Sequence, residues 1–518
     1  MNIIWRHINE HGGNIRHELL SRLQIVTLYQ LEFGEIYCRT ELRVNPRRLH
    51  RVDGSIQLDD DEEYYKNTRQ RYTSVPNTDR LDKHEINFTT KQACELTNKS
   101  SKQNLSITSM IQKRTIGPAF NTVDKCWINN NYLPNRFDVI NQYNSKIFCG
   151  SHSKDGRLFL TASQDRLLRV FHTYDDRFFL CKIIPAQDVG WSILDTAFSP
   201  DGSTIVYSSW SECLYQCSVL GDNNTHEMLS LNPNIRRFCV FSVVFSNDGR
   251  EILGGANDGY LYTYDRECHK RVLRIAGHDA DINAVTFADQ TSQIFYSAGD
   301  DGLCKVWDKR MVSETDPRPV GVLAGHMDGI TYIDSRGDSR YLITNSKDQT
   351  IKLWDVRALS GKTGQTNTRE AVSNQNWDYR WQSAPKRLYR PGNLLEGDTS
   401  IMTYRGHCVL KTLIRCRFSP AATTGQRYIY TGCSSGRIFI YDLLTGKIVR
   451  ILFGHGTCVR DVSWHPFHPH LISTSWDCMI AKWQYRYNDR YTNDDNLPGT
   501  VRRSERIYTQ QAGPRFLT

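Results

Sequence analysis

The sequence predicts an all-β chain assembled from seven copies of one structural repeat, and three observations predict it. A short phrase recurs in which a polar turn residue is followed six positions later by an aromatic residue or a cysteine. It runs Asp165 to Phe171, Ser211 to Cys217, Asp258 to Tyr264, Asp301 to Trp307, Asp348 to Trp354, Ser435 to Tyr441 and Asp477 to Trp483. The copies keep a period of about 45 residues with one interruption, between Trp354 and Tyr441, which is the mark of a repeat architecture. Gly-His dipeptides stand upstream in four units, at Gly277-His278, Gly325-His326, Gly406-His407 and Gly454-His455. Between these marks lie alternating strands such as Val285-Thr286-Phe287 and hairpin signals such as Asp201-Gly202 and Asp248-Gly249.

These phrases resemble the WD-repeat family over roughly residues 136–485. The resemblance implies a seven-bladed WD-repeat β-propeller, with four strands to a blade. The elements then follow in order. Residues 1–135 form an N-terminal extension that reads as mostly disordered, given the acidic run Asp59-Asp60-Asp61-Glu62-Glu63 and the polar stretch 87–108. Within it, Asn14 followed by Ile15, Leu19, Leu23 and Val26 can cap and line one short amphipathic helix. The propeller occupies 136–485. Its last unit ends near Trp483-Gln484-Tyr485 without an outer strand, and Phe137 to Tyr143 can supply one, so that no open sheet edge remains. The interruption at 358–399 has no Gly-His and no turn-to-tryptophan phrase but contains Pro385, Pro391 and clustered aromatics, so it reads as an insertion. Residues 486–518 form a polar tail.

Composition bounds the function. With 39% hydrophobic and 23% charged residues the chain is of the globular kind, and its longest apolar runs fall far short of the roughly 20 residues a membrane helix needs. Met1 to His7 opens no secretory signal. Fifteen unpatterned cysteines then read as reduced thiols, which places the chain in the nucleus and cytoplasm. A net charge of +9 is mild for 518 residues and does not by itself indicate nucleic acid.

Several units combine His, Ser or Thr, Asp and Trp, as in His326, Thr344, Asp348 and Trp354. An enzyme needs one such set. Here it repeats, as His278 with Asp301 and Trp307 and as His455 with Asp477 and Trp483, so the expected role is a buried hydrogen-bond chain that stiffens each blade. No Gly-x-Ser-x-Gly elbow, Walker loop or His-Glu-x-x-His occurs, so no catalytic residue and no cofactor are expected. His465, His468 and His470 cluster beside prolines without the four spaced ligands of a closed zinc site, and Cys213 and Cys217 fit packing on a strand. No metal is expected.

Two consecutive units end alike, as Trp307-Asp308-Lys309-Arg310 and Trp354-Asp355-Val356-Arg357. Both arginines follow the third strand and therefore emerge in equivalent loops of neighbouring blades, on one face. A guanidinium is a planar, permanently charged fork suited to a partner's carboxylates or carbonyls. The surface alternative is that each arginine merely pairs with its own aspartate, Asp308 or Asp355. Doubled Trp-Asp-x-Arg boxes resemble those of WD-repeat substrate receptors for cullin-4 RING ubiquitin ligases. So do Asp188 to Ser192, Ser208 to Ser211, Gly254 to Gly259, Asn376 to Gln382 and Val459 to Pro466. The resemblance implies that Asp308, Arg310, Asp355 and Arg357 dock to the adaptor, damage-specific DNA-binding protein 1, and through it to cullin-4 and a RING protein. It also implies that an N-terminal helix inserts into the adaptor, for which Ile15 to Val26 is the candidate.

A recruited protein, for which the resemblance suggests a transcription factor, would then meet the opposite face. Trp191, Trp210, Arg236, Arg460 and Trp476 fall in or near its loops, and tryptophan and arginine suit a recognition surface. The insertion starts on the arginine side. Trp377, Tyr379, Trp381, Lys386, Arg387, Tyr389 and Arg390 interleave aromatic and basic groups that could stack on single-stranded nucleic acid, although a clamp over the rim explains them better. The expected function is therefore that of a substrate-recognition subunit; the alternative is a general scaffold in a chromatin or RNA complex.

Overall fold

A computed structural model describes residues 76–94, 96, 111, 112, 115, 120, 122–173, 178–221, 225–233, 237–390 and 394–487. The candidate helix from Ile15 to Val26, the acidic run 59–63 and the tail beyond 487 lie outside the described residues. No helix among those described is long and apolar enough to cross a membrane.

The repeats fold into seven four-stranded antiparallel sheets arranged as the blades of a propeller. Blade 4 shows the pattern, with inner strand Ile282–Phe287, second strand Ile294–Gly299, third strand Cys304–Asp308 and outer strand Gly321–Leu323. Blade 5 is built from Ile330–Ser335, Tyr341–Ser346, Thr350–Asp355 and Met402–Arg405. Blade 7 takes Val459–Trp464, His470–Ser475 and Met479–Gln484 from its own unit and Arg136–Gln142 from the start of the propeller. That first strand pairs Phe137 with Trp483 and Val139 with Ala481, closing the ring between chain segments more than 300 residues apart.

The recurring phrase is explained by what it does locally. The turn aspartate accepts a hydrogen bond from the backbone two residues on, at 3.1 Å for Asp301 to Leu303 and 3.0 Å for Asp348 to Thr350. Gly259 sits at φ +77°, and a Cβ there would lie 2.5 Å from the His278 carbonyl, so the turn admits only glycine. In blade 5, His326 Nδ1 meets Asp348 at 2.9 Å, His326 Nε2 meets the Thr344 hydroxyl at 2.6 Å, and Trp354 Nε1–H donates to that hydroxyl at 2.7 Å. His278, Ser297, Asp301 and Trp307 repeat the chain in blade 4, and His455, Ser473, Asp477 and Trp483 repeat it in blade 7. With Nδ1–H on the aspartate, the hydroxyl donates to Nε2 and accepts from the indole, so every polar atom is used. Burial pushes the Asp301 carboxyl up, but His278 and the Leu303 amide hold it below its usual range. The hydroxyls and indoles are buried, which suits a staple.

Five inner strands carry a register shift at the same point, after Ile147, Val240, Ile282, Ile330 and Val459. Such a bulge turns one side chain out of strict alternation. In blade 7 that residue is Arg460, only 3% exposed, whose guanidinium crosses beneath the channel mouth to the carbonyls of Phe148 and Leu194 at 2.5 and 3.0 Å. Arg460 is therefore an internal strut and not a recognition residue on a loop, contrary to the expectation from sequence. Below it, Arg415 bonds Asp195 at 2.6 Å and Asp461 at 3.0 Å, joining the inner strands of blades 6, 2 and 7.

Segments outside the blades depart from the expected irregularity. Helices α1 (Asp79–Asp82) and α2 (Glu85–Ala93) precede α3 (Thr122–Asn131). The polar composition of 87–108 predicts a disordered arm, yet α2 buries Ile86, Asn87 and Thr90 on one face. The insertion contains α4 (Lys362–Ser373) and a 3₁₀ turn, Lys386–Tyr389, and α5 (Ala421–Thr424) fills the first inner turn of blade 6.

Candidate docking faces

The loops that follow the third strands of blades 4 and 5 emerge on one face, and each carries its arginine outward. Arg310 forms a two-pronged pair with Asp308, Nε to Oδ1 at 2.9 Å and Nη2 to Oδ2 at 2.6 Å, while its side chain stays 66% exposed. That pair holds the Asp308 carboxyl down at about 2. Arg357 lies 3.2 Å from Asp355 and is 62% exposed. Pairing with the neighbouring aspartate fixes the fork's orientation without hiding it.

The second box has neighbours that the first lacks. Asp355, nearly buried, also faces Arg340 Nε at 3.2 Å and His84 Nε2 at 3.3 Å. Glu85, the first residue of α2, accepts from Arg340 at 2.5 Å and lies 3.4 Å from Arg357. His84 caps α2, and its Nδ1 also approaches the Tyr341 hydroxyl at 3.3 Å. Burial pushes the His84 pKa down, and Arg340 adds to that, against the opposing pull of Asp355 and Glu85. Further along, Thr90 meets Arg336 and Cys94 meets the Thr424 carbonyl, so α2 lies along the turns of blades 5 and 6 with Phe88 on its outer side, 61% exposed. Sequence reasoning missed this helix. Its only local signals are a histidine cap and an acidic first turn, because its partners lie some 250 residues away.

The opposite face divides into two sectors. The insertion leaves blade 5 on the arginine side, as its topology predicts, but does not remain there. Ser360 bonds Val322 and Ala324 beside the outer strand of blade 4, and α4 then lies over Gly302, with Arg369 reaching Asp279 at 3.6 Å. Trp377 Nε1–H donates to Asp328 at 2.9 Å, and Lys347 stands 4.2 Å over the Tyr379 ring. Burial pushes the Asp328 carboxyl up to about 6. Trp377, Tyr379 and Tyr389, whose hydroxyl lies 3.6 Å from the Cys408 thiol, are thus engaged by the propeller, and Trp381 is 58% exposed.

Among the described residues, the insertion does not extend over the tryptophans of blades 7 and 2 on that face. Trp191 and Trp210 are 52% and 43% exposed, and Trp476 is half-buried against Phe148 with Lys146 4.9 Å above its ring. Arg236 lies outside the described residues. Of the histidines in the blade 7 turn, His465 has both ring nitrogens engaged. His465 Nε2–H donates to Gly156, and His465 Nδ1 accepts from the amides of Phe467 and His468. No metal-competent cluster occurs among the described residues.

The blade count, the stapling quartets and the strand exchange that closes the ring define a WD-repeat protein, and the WD domain, G-beta repeat family matches residues 137–172, 269–308, 317–355 and 446–484. Within that class the chain is 42% identical over 368 residues to the DDB1- and CUL4-associated factor 11 homolog of Caenorhabditis elegans, covering 69% of this chain and 64% of the relative. It is 40% identical to the protein of the same name from Caenorhabditis briggsae, over 72% of this chain and 69% of the relative. It is also 41% identical to the LEC14B homolog of Prunus armeniaca, over 75% and 82%. The chain belongs to the family that unites these proteins. It spans just under two thirds of the length of the Caenorhabditis elegans relative.

Proposed function

We propose that this chain is the substrate-recognition subunit of a cullin-4 ubiquitin ligase, docked through Arg310 and Arg357 to the adaptor damage-specific DNA-binding protein 1. One observation carries the reading: two guanidinium forks, each oriented by its own aspartate and each more than 60% exposed, stand on equivalent loops of adjacent blades. The names of the relatives support the partner. Met311, 77% exposed beside Arg310, and Phe88 beside the second box add apolar surface of the kind that anchors interfaces. In this reading helix α2 takes the part first assigned to Ile15–Val26.

The contribution of the chain is geometric. A rigid propeller holds the adaptor on one face and a captured protein on the other, which raises the local concentration of that protein near the ubiquitin donor. Ubiquitin transfer itself is done by the other subunits. The fourteen described cysteines are all free, which accords with work in the nucleus and cytoplasm. The test is adaptor co-purification with an Arg310→Glu, Arg357→Glu double variant. We expect adaptor recovery to be lost while the thermal unfolding midpoint stays near that of the parent; normal recovery would reject the docking.

A further inference from the structure

Each arginine box is followed by a serine three residues after its arginine, and only one of the two serines faces water. Ser360, beyond Arg357, is buried, and its hydroxyl accepts from the Ala324 amide at 2.9 Å. Ser313, beyond Arg310, is exposed, and so are Glu314, Thr315 and Asp316 after it. The Ser313 hydroxyl accepts from the Asp316 amide at 3.2 Å and lies 3.1 Å from the Thr315 hydroxyl, which folds the stretch into a small surface turn. Glu314 accepts from the Arg274 amide in the outer strand of blade 3 at 2.6 Å, and Asp316 meets Arg318 at 2.8 Å in a pair open to water.

Access to Ser313 is one-sided. On its N-terminal side Val312 is buried in the core with Trp307, and Lys309 is tied to Glu251 at 2.5 Å. A base-directed kinase would have to unpack the loop to read Lys309 and Arg310. On its C-terminal side the carboxylates one and three residues on, Glu314 and Asp316, are exposed, and a cationic groove can read them without unfolding the blade. Thr315 has Asp316 next to it but Arg318 three residues on, so the acidic frame falls on Ser313. A phosphate on that hydroxyl carries nearly two negative charges and three strong acceptor oxygens. Three residues of chain span at most about 11 Å, a gap that an arginine side chain closes. Arg310 is held by one carboxylate and is 66% exposed, so its fork is available to a stronger anion. The segment from Asp308 to Asp316 already holds three carboxylates against two cations, and a phosphate would make the loop strongly negative.

We propose that Ser313 is a phosphorylation site for an acid-directed protein kinase, and that its phosphate releases the chain from the adaptor by capturing the Arg310 fork. The serine oxygen attacks the γ-phosphorus of magnesium-bound ATP, the bond to the bridging oxygen breaks, ADP leaves with the bonding pair, and the hydroxyl proton passes to the kinase's base. The release rests on the docking reading, whereas the modification and the capture stand apart from it. Arg357 lacks this control, because Ser360 is sealed inside the fold.

The full-length chain, incubated with casein kinase 2 and magnesium ATP, should gain phosphate at Ser313, mapped by tandem mass spectrometry. Glu314→Gln with Asp316→Asn should slow that gain about tenfold, and Ser313→Ala should abolish it in this loop. Capture is read without the adaptor. In a phosphorus NMR titration of the modified chain, the second pKa of the phosphate should rise when Arg310→Gln is introduced. Release is read by surface plasmon resonance against damage-specific DNA-binding protein 1. Phosphorylation should weaken that binding about tenfold, while kinase-treated Ser313→Ala chain keeps the parent affinity. Failure of the unmodified chain to bind would reject the docking and with it the release, and the titration would still decide the capture. No phosphate on Ser313, phosphate placed there only by a base-directed kinase, a titration unmoved by Arg310→Gln, or full adaptor affinity in the phosphorylated chain would overturn the proposal.

Discussion

The two arginine boxes are near copies in sequence and unequal in structure. Among the described residues, the Arg310 side chain bonds Asp308 alone. Arg357 belongs to a cluster in which Asp355 and Glu85 are shared among Arg340, His84 and Arg357 itself. Blade 4 therefore offers a free fork, and blade 5 offers a fork fastened to helix α2. The difference teaches that a four-residue box fixes where a guanidinium emerges, while its surroundings decide whether the box also holds the fold together.

The comparison breaks most visibly at the aspartates. Asp355→Ala leaves two arginines and a histidine without their nearly buried carboxylate, and removal of one partner from such a pair costs about 3 kcal/mol. Asp308→Ala frees an arginine that is already two-thirds exposed to water, so its chemical denaturation midpoint should stay close to the parent's. Equal losses in urea titrations of the two variants would erase the distinction. Next in size, Glu85→Gln should loosen α2 alone. Hydrogen exchange in residues 85–93 should quicken several-fold, with no change around Arg310. A uniform response across both boxes would contradict it.

A smaller effect separates the boxes by pH. His84 has its pKa below the ordinary 6.5, so the unfolded or undocked form binds the proton more readily than the docked one. The stability this group gives the helix is present above 6.5 and is lost as pH falls through the lower, folded value. Acidification from pH 7.5 to 5.5 should thus raise exchange in α2 and leave blade 4 unaffected; greater protection of α2 at the lower pH would reverse the sign we assign. His84→Gln should remove most of this dependence.

The fold was legible because its logic is local and repeated. A buried His-Ser/Thr-Trp chain closed by a turn aspartate demands those residues at fixed offsets, and the demand recurs in blades 4, 5 and 7. The loop positions of Arg310 and Arg357 follow from the same offsets. What escaped depends on distant partners or on small changes of register. Helix α2 buries Asn87 and Thr90 as well as Ile86, so its inner face is too polar to stand out as an amphipathic stripe. Arg460 lies at a bulge, and strict alternation does not show that it reaches Phe148, 312 residues away in sequence. The insertion starts on the side its topology predicts, but its route over Gly302 and Asp328 is set by packing that no pattern within 358–399 encodes.

Hydrogen exchange of the full chain, alone and with purified damage-specific DNA-binding protein 1, addresses the docking most directly. Protection should appear at 308–312 and 355–359 and along the Phe88 side of α2, while the loops bearing Trp191 and Trp210 exchange as in the free chain. Protection confined to the tryptophan loops, with both arginine loops unaffected, would contradict the docking we assign.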